Sequence, residues 1–297
     1  MTSVLTLIAP TGASLEDAIV GDVRAALNGL GAETDGAVWL APGTACDIAF
    51  DGIAIDQADS AARAALGDIA VDVIAQPTED RKKRLLLADM DSTIVTAETL
   101  DELAAEVGIK DEIATITARA MNGELDFEAA LKERVSRLKG LDESALTRTF
   151  DNIEYMPGAE LLVRTMAANG ARCVLVSGGF KFFTSRVAKH CGFHADLAND
   201  FIIEDGKLTG LVTDPVLTKD VKLQTLITEA SSIGIPLTAT ASVGDGANDL
   251  PMLKAAGLGV AYHGKPSVRA EAPMRVDHCD LTALLYAQGY RQNEFVS

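Results

Sequence analysis

Acidic residues follow two short apolar segments of this chain. The run Leu85–Ala88 is typical of a strand buried on both faces of a parallel sheet, and Asp89 and Asp91 come directly after it. The second run, ASV, is followed by Asp245 and Asp249 within the sequence GDGAND. Because ligands in open α/β sheets collect at the carboxyl ends of the strands, we expect these carboxylates to lie together at one edge of a sheet.

The spacing of Asp89 and Asp91 suits chemistry at phosphorus. Side chains two residues apart at a strand end point to the same side. One carboxylate can attack phosphorus and form an aspartyl-phosphate, while the second carboxyl group protonates the leaving alkoxide and later deprotonates the attacking water. Adjacent like charges need a cation, so we expect Asp89, a backbone carbonyl near Asp91 and Asp245 to bind Mg²⁺, which prefers oxygen ligands. Asp249 would hold a metal-bound water or orient Lys222.

A third strand end carries groups that suit phosphate. The run RCVLV is followed by Ser177, Gly178 and Gly179, whose hydroxyl and closely approaching backbone N–H groups can cradle phosphate oxygens. Lys222 lies between this segment and GDGAND, and would offset the charge of phosphate and nucleophile. Each motif alone has an ordinary explanation: an acidic pair in a turn, a flexible glycine loop, or a turn with a helix cap. Their order, each behind a buried strand, favours phosphoryl transfer.

The elements that must position these residues form two predicted units. Residues 1–80 run strand, helix, two strands, helix and strand, the split βαβ order of α+β ferredoxin-like domains. The polar segment PTEDRKKR, residues 77–84, is predicted to be the boundary and an exposed linker turn. Residues 81–297 alternate strands and helices, which indicates an α/β unit with a parallel sheet. Within it we expect a long helical stretch at 98–149 and a β-hairpin around Asp205-Gly206.

The motifs also resemble those of a known family. DMDST, SGG, the lysine and GDGAND resemble the four motifs of the haloacid dehalogenase superfamily of phosphotransferases. From about Leu85 onward, segments such as DMDSTIVTAETLDELAAEVG and VGDGANDLPML resemble the phosphoserine phosphatases of that superfamily. The resemblance implies a Rossmann-like core with a helical cap inserted at about 97–155. It also implies Mg²⁺-dependent hydrolysis of O-phospho-L-serine to L-serine, the last step of serine biosynthesis.

The same resemblance implies roles for individual residues. It makes Asp89 the nucleophile and Asp91 the general acid and base. The magnesium ligands would be Asp89, Asp245 and the carbonyl of Asp91. The remaining positions expected to contact phosphate or substrate in the core are Ser177, Gly178, Gly179, Lys222 and Asn248.

Residues of the expected cap would select the amino-acid part of the substrate. By the resemblance, Glu98 receives the ammonium group and Arg134 pairs with the carboxylate, while Met121 and Phe127 close over the site and exclude water. A zwitterion needs one anion and one cation at a fixed separation, and arginine binds a carboxylate bidentately. Without the resemblance, the two charged residues would be read as helix surface and the two apolar ones as cap core.

The first unit resembles the ACT-type regulatory domains of some amino-acid enzymes. This likeness lies in the order of strands and helices, and no residue set in the unit forms a recognisable serine site. Homodimerisation through this unit, or a purely structural role, is the alternative to regulation.

Composition narrows the classes of partner. The 297 residues include 43 Asp and Glu against 26 Lys and Arg, a formal charge of −17, which argues against nucleic acid as a ligand. No apolar run approaches the roughly 20 residues that span a bilayer. The opening segment lacks the basic start of a secretory signal, so we expect a cytoplasmic enzyme.

The four cysteines have no paired spacing, and the cluster His190, Cys191 and His194 is read as an incidental helix end rather than a zinc site.

Two other functions stay open at this point. The first keeps the chemistry: a related phosphatase with another substrate, or a phosphotransferase that passes the phosphoryl group from phosphoserine to another alcohol. Glu98 and Arg134 favour an amino-acid phosphate but do not decide the acceptor. A non-catalytic sensor would use the first unit with a silent phosphatase fold, although every expected catalytic position holds a competent residue. A phosphate-accepting receiver would need neither the inserted cap nor the amino-acid clamp.

Overall fold

The computed structural model describes residues 1–121, 125–217 and 219–297, without the side chains at 118, 120, 121, 127 and 219. The first unit is an antiparallel sheet with two helices. Its strands lie in the order β2-β4-β1-β5, and β3 also pairs with β4. Its elements are β1 (Ser3–Ile8), α1 (Asp17–Gly29), β2 (Glu33–Thr34), β3 (Val38–Ala41), β4 (Ala45–Asp51), α2 (Ile55–Leu66) and β5 (Asp72–Pro77).

The alternation along β1 explains why this sheet is covered on both faces. Leu5 and Leu7 pack into a core with apolar residues of α1 and α2. Ile8 points the other way and joins the core of the following unit. Because side chains of a strand alternate between its two faces, one face carries the helices and the other contacts the rest of the chain.

The second unit has a central parallel sheet, and all of its strands and helices follow residue 84. Its elements are β6 (Leu85–Ala88), α3 (Thr99–Ala105), α4 (Lys110–Met121), α5 (Phe127–Ser136), α6 (Ser144–Asp151), α7 (Ala159–Ala168), β7 (Arg172–Phe180), α8 (Lys181–Cys191), β8 (Ala195–Asn199), β9 (Phe201–Glu204), β10 (Lys207–Val212), α9 (Lys219–Ser232), β11 (Thr240–Gly244), α10 (Leu250–Ala255), β12 (Leu258–Tyr262), α11 (Pro266–Glu271), β13 (Met274–Val276) and α12 (Ala283–Ala287), with 3₁₀ turns at Leu237–Ala239 and Gln292–Glu294.

The order of the parallel strands brings the three motif-bearing strands side by side. The sheet runs β13-β12-β11-β6-β7-β8, and each neighbouring pair is parallel. β6, β11 and β12 are buried along their whole length, as continuous apolar strands of a parallel sheet should be. The α/β core with a parallel sheet is therefore confirmed, and the carboxyl ends of β6, β7 and β11 share one edge.

The inserted helical region differs in detail from the sequence prediction. In the described part of the chain, the stretch 98–149 contains α3, α4, α5 and α6 rather than one long helix. Gly108 lies between α3 and α4 and Gly140 between α5 and α6, with φ of 73° and 83°. A positive φ cannot continue a right-handed helix, so these glycines divide the region. The hairpin around Asp205-Gly206 is confirmed as β9 and β10.

Strand β7 and two edge strands also differ from expectation. β7 continues through Ser177, Gly178 and Gly179 to Phe180, so the SGG segment is part of a strand and not a loop after it. β8 and β13 form the two edges of the sheet and were not predicted. Their sequences, ADLAN and MRV, carry charged or amide side chains, so no continuous apolar run marks them.

The segment 77–84 contains a turn and is exposed at most of its positions, as predicted, but two of its basic residues also make contacts that were not predicted. The guanidinium of Arg81 donates from Nη1 and Nη2 to the two Asp47 carboxylate oxygens at 2.7 Å, and from Nε to the Ala287 carbonyl at 2.8 Å. Lys83 is buried, which lowers its pKa to about 8, and its Nζ donates to the Thr238 carbonyl at 2.8 Å. Arg81 therefore joins the first unit to the second, whereas the Lys83 bond lies within the second unit.

Asp72 makes a second buried connection between the units, and its removal should destabilise the protein. Its carboxylate accepts backbone N–H groups of Asp277, His278 and Cys279 at 2.8–3.1 Å. Asp72→Ala would leave these donors without their partner, so we expect a loss of about 2–4 kcal/mol in the free energy of unfolding. Chemical denaturation measures this, with Asp68→Ala on the neighbouring exposed loop as control. Equal, small losses in the two variants would contradict the prediction.

The two histidines of the His190, Cys191 and His194 cluster have separate partners. His190 Nε2 lies 2.9 Å from Glu160 Oε1 and its ring stacks on Tyr155. His194 Nδ1 accepts the backbone N–H of Cys173 at 3.0 Å. The metal-ligand cluster found among the described residues does not include them. In the same residues, no helix combines the length and apolar character needed to cross a membrane.

Candidate active site

Asp89 is the first residue after β6 and is held in place by backbone and side chain. Its N–H donates to the Val243 carbonyl of β11 at 3.0 Å, which continues the parallel pairing of the two strands. The Met90 N–H and Lys222 Nζ both donate to Asp89 Oδ1, at 2.8 and 2.7 Å. Asp89 therefore has a fixed carboxylate at the edge where the sheet ends.

Lys222 joins Asp89 to Asp249 in the buried interior of the site. It lies on α9, and its Nζ is 2.7 Å from Asp89 Oδ1 and 2.6 Å from Asp249 Oδ1. Burial by itself lowers the pKa of Lys222, but the charges of Asp249 and Asp89 outweigh it and raise the pKa above its ordinary value. Lys222 is thus a fixed cation, and Asp249 orients it, as one of the two expected roles for Asp249 requires.

Three buried carboxylates converge here and form a set that suits a divalent cation. Oxygens of Asp89, Asp245 and Asp249 lie within 4.8 Å of one another. Burial and the charge of Asp249 raise the pKa of Asp89 well above its ordinary value, with Lys222 opposing. Burial raises the pKa of Asp245 to about 6, although Lys265, 3.7 Å away, opposes this. The protein's own cations therefore do not fully balance these charges, and an all-oxygen donor set fits a hard cation.

Asp91 faces the segment carried by β7. The Ser177 hydroxyl donates to Asp91 Oδ2 at 3.1 Å and accepts the Gly179 N–H at 2.8 Å. The Thr99 N–H, at the start of α3, donates to Asp91 Oδ1 at 2.8 Å. Burial and the charge of Glu98 raise the pKa of Asp91 to about 6, against the hydrogen bonds from Thr99 and Ser177. A pKa of about 6 suits a group that gives and takes a proton near neutral pH.

Two glycines leave room for these side chains. A Cβ on Gly179 would lie 3.0 Å from both Asp91 Oδ2 and Ser177 Oγ. A Cβ on Gly244 would lie 2.7 Å from Asp249 Cβ. Gly179 keeps the space between hydroxyl and carboxylate open, and Gly244 admits the Asp249 side chain beside Lys222.

Two expected clamp residues lie within electrostatic reach of the core carboxylates. Glu98 precedes α3, is exposed, and accepts the Ser92 hydroxyl at 2.8 Å. Arg134, on α5, donates to the Ala130 carbonyl at 3.3 Å and to the Thr117 hydroxyl at 3.2 Å. Burial lowers the pKa of Arg134, while the charges of Asp101, Glu98 and Asp91 raise it. Both of these hydrogen bonds go to neutral oxygens, and in the described residues neither acceptor is a carboxylate. The guanidinium therefore retains N–H groups that can donate to a substrate carboxylate.

Three other residues were expected at the site, and the structure describes the side chain of only one of them, Asn248. Asn248 is half-buried in the GDGAND segment, one residue before Asp249. Met121 ends α4 and Phe127 begins α5, but both side chains lie outside the described residues, so their expected role in closing the site stays a prediction.

Sequence reasoning missed several residues that hold the site together. Thr99 donates to Asp91, and Asn199 donates from Nδ2 to the Gly178 carbonyl at 2.8 Å. Asn199 ends β8, so reading the residue after each parallel strand would have found it if β8 had been recognised. The Thr99 contact uses a backbone N–H, for which the residue type gives no signal.

Comparisons with known proteins identify the family. The model of the haloacid dehalogenase-like hydrolases matches residues 86–254. The chain is 46% identical over 192 residues to a phosphoserine phosphatase from Streptococcus thermophilus, covering 65% of this chain and 89% of that one. Some curated relatives are longer: the match covers 50% of the phosphoserine phosphatases from Streptomyces coelicolor and Mycobacterium tuberculosis.

Solved structures agree with this family. A probable phosphoserine phosphatase from Vibrio cholerae is 32% identical, with a TM-score of 0.78 over 99% of this chain and 88% of that one. A structure described as a phospho-aspartyl intermediate analogue of phosphoserine phosphatase is 40% identical, with a TM-score of 0.65 over 69% of this chain and 98% of that one. The chain therefore belongs to the haloacid dehalogenase-like hydrolases and, within them, to the phosphoserine phosphatases.

Proposed function

We propose that this enzyme hydrolyses O-phospho-L-serine to L-serine and phosphate through a covalent aspartyl-phosphate on Asp89. A carboxylate oxygen of Asp89 forms a bond to phosphorus while the bond between phosphorus and the serine oxygen breaks. Asp91 gives its proton to the departing serine alkoxide. It then takes a proton from water as that water attacks phosphorus, and the bond to Asp89 breaks to release phosphate.

The observation that carries this proposal is the pairing of each carboxylate with a different partner. Lys222 contacts Asp89, and Ser177 contacts Asp91, although both acids follow the same strand. Asp89 thus lies beside a fixed cation that offsets the incoming phosphoryl charge. Asp91 lies beside a hydroxyl and has a pKa of about 6. The two acids therefore suit the separate tasks of nucleophile and proton carrier. The solved phospho-aspartyl analogue of a relative supports the covalent route.

Magnesium is the proposed cofactor, held by the carboxylates of Asp89 and Asp245 and the backbone carbonyl of Asp91. Asp249, close to both carboxylates, would hold a water of the ion while it orients Lys222. When bound, Mg²⁺ would supply positive charge for the phosphoryl oxygens. The unbalanced buried carboxylates described above support such a site.

Glu98 and Arg134 are proposed to select the serine part of the substrate. Glu98 would accept the ammonium group and Arg134 would donate to the carboxylate. The support is their position. The charge of Glu98 raises the pKa of Asp91, and the charge of Asp91 raises that of Arg134, so both groups lie near Asp91, one just before α3 and the other on α5. Opposite charges on one side of a phosphate site suit a zwitterionic phosphate ester.

Arg134→Ala should weaken phosphoserine binding more than it slows turnover. The lost charge-assisted hydrogen bonds predict a rise in KM of about 10- to 100-fold for phosphoserine. A phosphate ester without a carboxylate should show no such change. Steady-state kinetics on both substrates measure this. Arg137→Ala is the matched control, because the exposed Arg137 directly follows α5, three residues after Arg134, and pairs with Glu112 and Glu133. An unchanged KM for phosphoserine in Arg134→Ala would contradict the clamp.

The proposed function is tested by phosphate release from L-phosphoserine with Mg²⁺, beside phosphothreonine, an aryl phosphate and a chelator control. We expect strong preference for phosphoserine and loss of activity on chelation, restored by Mg²⁺. Adding other alcohols should not divert the phosphoryl group; diversion would show a phosphotransferase. Activity on the aryl phosphate alone would retain the Asp89 chemistry and overturn the substrate. No release from any ester would favour the sensor.

We further propose that residues 1–80 form an ACT-like domain and residues 81–297 the phosphatase domain, with the cap at about 97–155. The support is the strand order β3-β4-β1-β5 with two helices on one face. Homodimerisation through this first domain, tested by light scattering, belongs to the same proposal. The four buried, unpaired cysteines support a reducing, cytoplasmic location.

A further inference from the structure

We propose that Asn199 is a positioning residue that holds the phosphate-binding segment of β7 at a fixed distance from the chain leading to α9. This inference rests on the proposed function, which makes Ser177, Gly178 and Lys222 the phosphate-binding groups. Asn199 would act through Gly178 and through the chain that leads to Lys222, without touching the substrate itself.

Strand β7 bulges at the segment in question. Its register with β8 passes from Val176↔Leu197 to Phe180↔Asn199, so the three residues 177–179 of β7 face the single residue 198 of β8. A bulge of this kind interrupts the ladder of backbone hydrogen bonds and bends the strand. The bend brings the Ser177 hydroxyl and the Gly179 N–H together, but it also removes the regular pairing that would keep the segment in place.

The side chain of Asn199 supplies bonds on both sides of this bulge. Nδ2 donates to the Gly178 carbonyl at 2.8 Å, and Oδ1 accepts the Leu217 N–H at 2.8 Å. Asn199 is 2% exposed, so water does not compete for these groups. One amide therefore joins the middle of the bulge to a residue two positions before α9, the helix that carries Lys222.

The two hydrogen bonds of Asn199 lie at the base of a hairpin that contacts the inserted helical region. Between Asn199 and Leu217 the chain forms the hairpin of β9 and β10. This hairpin is bonded to the inserted helical region: the Gly140 N–H donates to the Leu208 carbonyl at 2.8 Å, and the Leu208 N–H to the Leu141 carbonyl at 2.9 Å. Asn199 closes the base of the hairpin, so displacement of the helical region and hairpin need not displace Gly178.

The test compares Asn199→Asp and Asn199→Ala with the unchanged protein. The first variant keeps the acceptor for Leu217 and loses the donor for Gly178; the second loses both. Calorimetric titration with inorganic phosphate should show affinity about 10-fold weaker in each variant, with the affinity for L-serine unchanged. Asn169→Asp is the matched control, because the exposed Asn169 amide bonds only a carbonyl of its own helix in the described structure.

Two outcomes would overturn the inference. Equal losses of phosphate and serine affinity would show that Asn199 has only a general structural role. Unchanged phosphate affinity would show that Asn199 does not position the phosphate-binding segment. If the variants do not fold, hydrogen exchange in the unchanged protein decides: saturating phosphate should slow exchange at the Leu217 N–H, and an unaffected rate would contradict the coupling. Because phosphate binding is measured directly, failure of phosphoserine hydrolysis in the unchanged protein would be seen separately and would count against the proposed function alone.

Discussion

Replacement of Asp89 by asparagine should reduce phosphoserine hydrolysis by at least about 10³-fold, since the amide cannot serve as the nucleophile. The fold should be retained. Asparagine has the same shape, and its Oδ1 can still accept from the Met90 N–H and Lys222. Because burial raises the pKa of Asp89 well above its ordinary value, the folded protein disfavours the charged carboxylate. A neutral side chain should therefore leave the melting temperature equal or higher at neutral pH.

The measurement pairs the rate of phosphate release with thermal unfolding. Asp111→Asn, on the exposed surface of α4, is the control and should change neither quantity. Deamidation would restore activity slowly, so the residual rate is measured on fresh protein whose mass has been verified. Substantial residual turnover in verified Asp89→Asn would contradict the assignment of the nucleophile.

Lys222→Met should affect both activity and stability. Lys222 lies between Asp89 and Asp249 with its side chain 4% exposed, and both carboxylates would lose their cation. Breaking a buried ion pair by removing one partner typically costs about 3–5 kcal/mol. Loss of the charge that offsets the phosphoryl group should also reduce kcat by at least about 10²-fold. Added Mg²⁺ should recover part of the stability but not the rate, because the proposed magnesium site uses the same group of carboxylates.

Lys254→Met is the matched control for this variant. Lys254 pairs with Glu271, but its side chain is 50% exposed, so removing it should cost less than about 1 kcal/mol and leave kcat unchanged. Denaturant unfolding with and without Mg²⁺, together with steady-state kinetics, measures both effects. Equal stability losses for the two lysines, or a near-normal kcat for Lys222→Met, would contradict the role given to the buried ion pairs.

The comparison of sequence and structure shows which parts of the fold leave a local signal. Apolar runs marked β6, β11 and β12 because strands buried on both faces need apolar residues at every position. The edge strand β8 was not predicted because its half-buried positions accept polar side chains. The divisions at Gly108 and Gly140 were hidden, since helix propensity is high on both sides and the glycine conformation depends on how the helices pack.

The same distinction applies to the site. Asp89, Asp91, Asp245 and Asp249 could be located because each follows a recognisable strand, and the structure brings them to one edge. Lys222 was expected near Asp249 and the nucleophile, and its Nζ lies 2.6 Å from Asp249 and 2.7 Å from Asp89. The contacts of Arg81 were not predictable, because Asp47 and Ala287 are both distant from it in sequence.

The central claim is that Asp89 carries the phosphoryl group, and chemical trapping tests it most directly. Enzyme turning over phosphoserine with Mg²⁺ is quenched in acid and reduced with borohydride, which converts an aspartyl-phosphate to homoserine. We expect peptide mass spectrometry to find homoserine at position 89, dependent on substrate. Homoserine at Asp91, Asp245 or Asp249 instead, or none at any position while phosphoserine is being hydrolysed, would contradict the account.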